Sequence, residues 1–140
     1  MKVQVIRSNR KTIGLEVRAD ESVILRAPAV DEISDVEWKS ILGEFTERVN
    51  HFCKIMEVTV GRITIRNQKT RWGSCSSKGN VNFNYQLYYM PRELMDYVSI
   101  HELSHRLHMN HSAEFWQEVE KYCKTYRECR KKLRDYEIAP

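Results

Sequence analysis

Residues 101–105 read HELSH, and this pentapeptide constrains the fold more than any other part of the sequence. In an α-helix, which repeats every ~3.6 residues, His101 and His105 project from the same face one turn apart. Two imidazoles placed in this way can bind one zinc ion, while Glu102 can reach a water molecule on the metal. The pattern therefore predicts a helix over this segment and metal chemistry on one of its faces.

Two further histidines compete for the place of a third metal ligand. His108 shares the helix face of the HELSH pair, but seven residues advance a helix by about 10.5 Å, too far for three nitrogens to share one tetrahedral ion. His111 can reach the ion if the chain turns back, and Asn110 is a residue type that tolerates the left-handed conformation at helix ends. We therefore expect the helix to end near Met109 and His111 to be the ligand.

The third-ligand assignment has two consequences. Three protein ligands leave one coordination position for water, which is typical of a catalytic rather than a structural zinc site. His108 and Trp116 are then expected to support the ligands from behind instead of binding the metal.

The N-terminal third of the chain predicts β-strands, because short runs rich in valine, isoleucine and leucine alternate with turn-like segments. The runs are VQVI, TIGLEVR and SVILRAP, and Pro28 ends the third. The period then changes, since apolar residues recur every three to five positions from Val36 to Phe52. This spacing predicts an amphipathic helix with Ser34 or Asp35 as its N-cap.

The second half of the chain returns to strands and then becomes helical. VTVGRITIRN and VNFNYQLYY predict strands, and RWGSCSSKGN between them predicts a turn or loop. The HELSH helix begins near Pro91, and one C-terminal helix follows from Ser112. The order predicts an α+β fold, with N-terminal strands and a helix, a mixed sheet, the HExxH helix and a C-terminal helix, in one domain over residues 1–140.

Composition points away from membranes and secretion. No apolar run approaches the length of a transmembrane helix, and the start of the chain lacks the apolar core of a signal peptide. The four cysteines show no CxxC spacing, so free thiols in a reducing compartment are expected. We therefore expect a cytoplasmic protein with no membrane partner.

The charge of the chain is unevenly distributed, although its net value is only +4. The segment from Val58 to Arg92 contains no Asp or Glu, and its basic residues are Arg62, Arg66, Lys69, Arg71, Lys78 and Arg92. A surface of one sign can attract a nucleotide or a nucleic acid, and Arg66 and Arg71 are the candidate contacts. A solvated sheet face is the alternative interpretation.

Two blocks of the sequence resemble the YgjP-like metallopeptidases, small zincins related to the SprT-like and WLM groups. They read TRWGSCSSKGNVNFNYQL and MDYVSIHELSHRLHMNHSAEFW and densely cover residues 70–116. The resemblance implies a compact α+β fold and one zinc ion held by His101, His105 and His111. It also implies that Glu102 is the catalytic base.

The motif and the resemblance together predict a zinc metallopeptidase that cleaves peptide bonds with a zinc-bound water activated by Glu102. The substrate of such an enzyme usually lies along an exposed strand edge above the metal helix. Asn82 and Asn84 on the VNFNY strand are therefore candidate substrate contacts, although an ordinary amphipathic strand is the alternative for this segment.

Two other functions stay open at the level of sequence. One is a metal-dependent nucleotide pyrophosphatase, an activity attached to some relatives of this family, for which Arg66 and Arg71 would bind phosphates. The other is a non-catalytic module that binds nucleic acid and uses zinc for stability. Glu102 and the open coordination position argue against the non-catalytic module.

Overall fold

Strands and helices follow one another in the predicted order. The computed structural model describes residues 3–8, 14–17 and 23–137, with side chains from 27 to 136. The strands are β1 (Val3–Ser8), β2 (Gly14–Val17), β3 (Val23–Pro28), β4 (Ile63–Arg66), β5 (Gly73–Cys75), β6 (Val81–Asn84) and β7 (Tyr136–Glu137). The α-helices are α1 (Asp35–Met56), α2 (Arg92–Ser104), α3 (Ala113–Tyr122) and α4 (Tyr126–Asp135), and 3₁₀ helices occupy Val30–Glu32 and Tyr85–Tyr89.

The strands form two mixed sheets. In the first sheet the order is β2-β3-β1-β7, with β1 parallel to both of its neighbours and β2 antiparallel to β3. In the second the order is β4-β6-β5, with β6 parallel to β4 and antiparallel to β5. The predicted α+β class with a mixed sheet is confirmed.

Helix α1 forms where the three-to-five-residue period predicted it. The side-chain oxygen of Ser34 accepts a hydrogen bond from the Glu37 amide at 3.1 Å, so Ser34 is the N-cap. The buried residues of this helix are Ile41, Phe45, Val49, Phe52 and Met56. Val36 was expected on the same face but is 78% exposed, because it lies in the first turn before the helix reaches the core.

Helix α2 is the element around which the functional residues assemble. It contacts α1, α3, α4 and β5, and its middle is buried on nearly every side. The Arg48 guanidinium donates to both carboxylate oxygens of Asp96 at 2.8 and 3.0 Å, which ties α1 to α2. Phe45 stacks on Phe83 with ring centroids 5.2 Å apart, which ties α1 to β6. Within the part of the chain that the structure describes, no helix is both long and apolar enough to cross a membrane.

Four predicted elements are wrong in detail. The VNFNYQLYY strand ends at Asn84, and Tyr85–Tyr89 is a 3₁₀ helix. The RWGSC segment was expected to be a loop but contains β5, because Gly73–Cys75 pairs with β6. The C-terminal helix is two helices, since the chain turns between Tyr122 and Tyr126. Helix α2 ends at Ser104 rather than near Met109, and the amides of Leu107 and His108 turn back to the Ser104 carbonyl.

Candidate metal centre and active site

Three histidine side chains converge at the end of α2. His101 and His105 lie in and directly after its last turn, and His111 lies in the segment before α3. One ligand nitrogen from each histidine lies within 4.8 Å of the others, and the Nε2 atoms of His101 and His111 are 3.3 Å apart. Zn–N bonds of about 2.0–2.1 Å in tetrahedral geometry separate two nitrogens by about 3.3–3.4 Å. The His101–His111 pair already has this separation, and the three histidines fit a tetrahedral zinc ion once the rings move closer together.

Hydrogen bonds on the far side of two rings orient them. His105 Nδ1 lies 3.0 Å from the His108 carbonyl oxygen. A carbonyl oxygen can only accept, so Nδ1 carries the proton and Nε2 is left with a free lone pair. His101 Nδ1 lies 3.2 Å from the Tyr97 hydroxyl oxygen, which can accept a hydrogen bond from a proton on Nδ1 in the same way. Partners of this kind are typical of metal-binding histidines.

The early end of α2 explains why His111 rather than His108 joins the cluster. The turn after Ser104 places the main-chain carbonyl of His108 against the His105 ring. The Ser112 hydroxyl then accepts from the Phe115 amide at 3.4 Å and begins α3, which places His111 opposite His101. Among the described residues, the side chain of His108 is not part of the cluster.

Two aromatic residues of α3 support the histidine rings. Phe115 is fully buried, and its ring centroid lies 5.0, 4.5 and 4.9 Å from those of His101, His105 and His111. The Trp116 ring stacks on His111 with centroids 5.9 Å apart. This contact is where a supporting role for Trp116 would act, and that role stays a prediction.

Burial keeps the imidazoles neutral in the absence of metal. Burial, reinforced by the nearby His105 and His111, lowers the pKa of His101 to about 3. Burial also lowers the pKa of His105. Neutral imidazole is the form that binds a metal ion, so protons compete weakly for these two rings.

Glu102 lies next to the cluster in a poorly hydrated place. The residue is 6% exposed, and burial raises the pKa of its carboxyl to about 8, although the positive charge of Arg71 opposes this shift. Glu102 and His101 line a pocket of about 260 Å³. A carboxyl group with a raised affinity for protons beside a pocket can act as a general base and acid near neutral pH.

Strand β5 and helix α2 both line the pocket, and they lie very close to each other. A β-carbon on Gly73 would be 3.0 Å from Val98 Cγ1, 3.1 Å from the Asn82 carbonyl oxygen and 3.1 Å from Glu102 Oε2. A side chain at this position would push the strand away from Glu102. Glycine therefore permits a close approach rather than the tight turn that its place in RWGSC suggested.

The strand predicted to bind substrate is not at an edge. β6 lies between β4 and β5, so both of its main-chain edges are paired, and the expectation of an exposed edge at residues 81–85 is wrong. Asn84 is 0% exposed. Its side-chain Nδ2 donates to the main-chain carbonyls of Gln68 and Arg71, and its side-chain Oδ1 accepts from the main-chain amide of Gln86. Asn82 is half-buried and donates to the Ser74 hydroxyl at 3.2 Å. In this structure both asparagines organise the sheet.

The strand edge beside α2 belongs to β5. The main-chain amide of Asn84 donates to the main-chain carbonyl of Trp72, and the main-chain amide of Ser76 donates to that of Asn80. Hydrogen-bonded pairs alternate along an antiparallel ladder, so Gly73 and Cys75 direct their main-chain groups away from β6. No strand of the described part of the chain pairs with this side of β5.

The two arginines proposed as phosphate contacts are separated by the sheet. Arg66 is exposed at the end of β4, across β6 from β5. Arg71 is exposed just before β5, close enough for its charge to act on Glu102. The structure thus brings only Arg71 near the general-base candidate.

Sequence reasoning missed three features of the site: Tyr97, the β5 edge, and the pair Arg130 and Arg134 in the pocket wall. Tyr97 precedes His101 by four residues, and this spacing on a helix was a usable signal. The arginines had no signal of their own, because one continuous C-terminal helix was expected.

A family comparison decides what this arrangement is. The family model described as YgjP-like, metallopeptidase domain, matches residues 27–136. The chain belongs to the YgjP-like metallopeptidase family. A search of curated proteins gave no match.

Solved structures resemble this YgjP-like chain in fold. The crystal structure of the metallopeptidase zymogen of Pyrococcus abyssi abylysin is 26% identical, with a TM-score of 0.58, and the alignment covers 64% of this chain and 90% of that chain. The zymogen of Methanocaldococcus jannaschii jannalysin is 24% identical, with a TM-score of 0.56 and coverage of 64% and 92%. Wss1 from Saccharomyces cerevisiae is 14% identical, with a TM-score of 0.52 and coverage of 93% and 90%.

Family membership confirms two predictions made from the sequence. The YgjP-like chain is a metallopeptidase-like hydrolase, and the family resemblance of residues 70–116 was correct. The α+β architecture matches that of the solved metallopeptidases, and jannalysin and Wss1 support the fold alone at their levels of identity.

Proposed function

We propose that the chain is a zinc-dependent peptidase in which His101, His105 and His111 hold one zinc ion and Glu102 transfers protons. The observation that carries this proposal is the meeting of three histidine nitrogens within 4.8 Å directly beside a buried glutamate. Zinc is the metal proposed because three imidazoles with an open fourth position are a common catalytic zinc set.

When bound, the zinc ion supplies Lewis acidity, which polarises a substrate carbonyl and makes water a stronger nucleophile near neutral pH. The protein holds the ligands ready for it. The His108 carbonyl and the Tyr97 hydroxyl hold the Nδ1 sides of His105 and His101, and Phe115 packs against all three rings. These contacts fix which nitrogen of His101 and His105 is free to bind the metal.

Glu102 carries the proton through the reaction. Its carboxylate accepts a proton from the attacking water, and the resulting acid donates that proton to the leaving amine nitrogen. Burial strengthens the proton affinity of the carboxyl, and the charge of Arg71 moderates it. The Glu102 carboxyl can then both accept and donate a proton near neutral pH.

The free edge of β5 is the proposed binding site for the substrate main chain. The outward main-chain groups of Gly73 and Cys75 can pair with an extended peptide, which then adds a strand beside α2. This assignment replaces the earlier one to residues 81–85. It also places the scissile bond on the side of the sheet where Glu102 lies, since β5 contacts α2 directly.

The cysteines bear on the cellular compartment in which the enzyme works. Cys53, Cys75, Cys123 and Cys129 are all free thiols. We infer a reducing compartment such as the cytoplasm, because unpaired cysteines in this number are typical there.

The peptidase proposal is tested with purified zinc-loaded protein and a library of unstructured peptides, with Glu102→Gln as the matched control. We expect peptide cleavage by the wild type and a loss of about 10²–10⁴-fold in the variant, because glutamine cannot accept the proton. Bound zinc and the melting temperature must be measured for both proteins, so that a change of fold is not mistaken for lost chemistry. Cleavage at wild-type rate by Glu102→Gln would remove Glu102 from the mechanism.

A further inference from the structure

The pocket beside Glu102 combines basic, acidic and apolar lining residues. Its lining contains His101 and Glu102 from α2 and two arginines one turn apart on α4, Arg130 and Arg134. Its volume of about 260 Å³ is enough for one amino-acid side chain but small for a drug-sized ligand, whose pockets usually measure about 300–1,000 Å³.

Arg130 is held in place by the site itself. Its guanidinium carbon lies 4.2 Å from the centroid of the Trp116 ring. The same Trp116 ring also stacks on His111. The positive charge of Arg130 adds a little to the lowering of the His101 pKa, which burial dominates, and it opposes the rise that burial causes in the pKa of Tyr97. A cation–π contact fixes the side chain without neutralising its charge.

The positive charges of Arg130 and Arg134 are not neutralised by an ion pair among the described residues. In the described part of the chain, four basic side chains form ion pairs: Arg48, Arg92, Lys121 and Lys132. Among the described residues, neither Arg130 nor Arg134 lies within ion-pair distance of a carboxylate. Glu102 is the only acidic residue in the pocket lining, and burial favours its neutral form.

The rest of the wall is apolar. Trp72, Val98 and Leu133 also line the pocket. A ligand that suits this surface has a short aliphatic stem and an anionic end, and paired guanidinium groups bind carboxylates well. Glutamate and aspartate side chains have this form.

We propose that the pocket receives an acidic side chain of a peptide substrate next to the scissile bond, and that Arg130 and Arg134 bind its carboxylate. The inference rests on the proposed peptidase function and names its substrate class. Arg130 and Arg134 are specificity-determining residues, because they contact a substrate side chain and not the reacting atoms.

The test uses pairs of peptides, acetylated and amidated at their ends, that differ only by glutamate or glutamine at each position around the cleaved bond. Wild-type protein should cleave the best glutamate peptide at least about tenfold more efficiently in kcat/KM than its glutamine partner, which is a typical effect of a hydrogen-bonded charge. The preference should shrink as salt concentration rises. Equal or reversed preference at every position overturns the proposal.

Variants locate the preference in the pocket. Arg134→Gln should bring the glutamate-to-glutamine ratio close to one, and Arg134→Glu should reverse it in favour of lysine at the same position. Arg127→Gln, on α4 outside the pocket lining, is the control with the same loss of charge and should keep the wild-type ratio. A ratio that Arg134→Gln leaves unchanged would overturn the assignment, provided its melting temperature shows that it is folded.

A binding measurement separates this inference from the peptidase proposal. Zinc-free Glu102→Gln protein is titrated with the same peptide pairs and with a nucleoside triphosphate, following tryptophan fluorescence, because Trp72 lines the pocket. Tighter binding of glutamate peptides that depends on Arg134 supports the subsite even if no peptide is ever cleaved, in which case only the peptidase proposal fails. Equal binding of both peptides, or Arg134-dependent binding of the triphosphate alone, overturns the subsite.

Discussion

At the residue scale, the choice between His108 and His111 shows what sequence spacing can decide. Spacing excluded His108 as a partner of both other histidines along one helix, but it could not show that the His108 main chain would hold the His105 ring. That contact depends on where α2 ends, which is set by the turn after Ser104. The rings of His101 and His111, with Nε2 atoms 3.3 Å apart, meet across that turn.

A pair of alanine variants tests this arrangement. His111→Ala should lower zinc affinity by at least about 100-fold, because it removes a proposed ligand, and loss of a supporting partner alone typically costs about 10–100-fold. His108→Ala keeps the main-chain carbonyl that holds His105 and should retain most of the affinity. Zinc content by elemental analysis, followed by competition with a chelator, measures both. Equal losses in the two variants would show that His111 is not the third ligand.

Glu102 should leave a signature in the stability of the zinc-free protein. Its folded-state pKa is about 8, and its ordinary value is 4.5. Between these pH values the folded protein retains a proton that the unfolded chain has lost, so the contribution of Glu102 to stability falls as pH rises. Glu102→Gln mimics the protonated carboxyl and should therefore raise the melting temperature at pH 8, by roughly 5 °C, and raise it much less at pH 5.

Thermal unfolding of the zinc-free proteins at the two pH values gives this comparison. Glu120→Gln, an exposed carboxyl on α3, is the matched control and should show no such pH-dependent gain. The same gain at both pH values for Glu102→Gln would mean that the buried carboxyl does not retain its proton in the fold.

At the element scale, the long helix α1 and the position of the HELSH helix could be predicted because their signals are local. Apolar spacing and the Ser34 cap are properties of neighbouring residues. β5 was missed because Gly73–Cys75 has little strand propensity and becomes a strand only through pairing with β6. The break between α3 and α4 was missed because both flanking segments are helical in pattern.

Gly73 tests how closely β5 must approach α2. Gly73→Ala should destabilise the protein by about 1–3 kcal/mol and reduce peptide cleavage, because the new methyl group would lie 3.0–3.1 Å from Val98, Asn82 and Glu102. Gly43→Ala is the control: nothing lies within 4 Å of the added carbon on α1, and a stabilisation of about 0.5–1 kcal/mol is expected there. Denaturant unfolding measures both. A neutral Gly73→Ala would show that β5 can move away from α2 at little cost.

At the scale of the whole molecule, the sheet order decides which basic residues can act together. The sequence places Arg66 and Arg71 five residues apart in one basic stretch. The order β4-β6-β5 places Arg66 on the far edge strand, about 10 Å from β5 across two strand spacings. Strand order depends on long-range pairing and could not be deduced from alternation within each segment. The basic stretch is therefore not one phosphate-binding surface centred on Glu102.

This layout leads to a prediction about the nucleotide alternative. We expect zinc-loaded protein to cleave peptides and to leave nucleoside triphosphates intact, because only Arg71 of the proposed phosphate contacts lies near Glu102. Cleavage of an uncharged peptide should change little in Arg66→Ala, whose side chain is exposed on the opposite edge of the sheet. Peptide and triphosphate hydrolysis are measured on the same preparations at low and high salt. Triphosphate hydrolysis that requires zinc and Glu102, and that falls equally in Arg66→Ala and Arg71→Ala, would favour a nucleotide hydrolase over a peptidase.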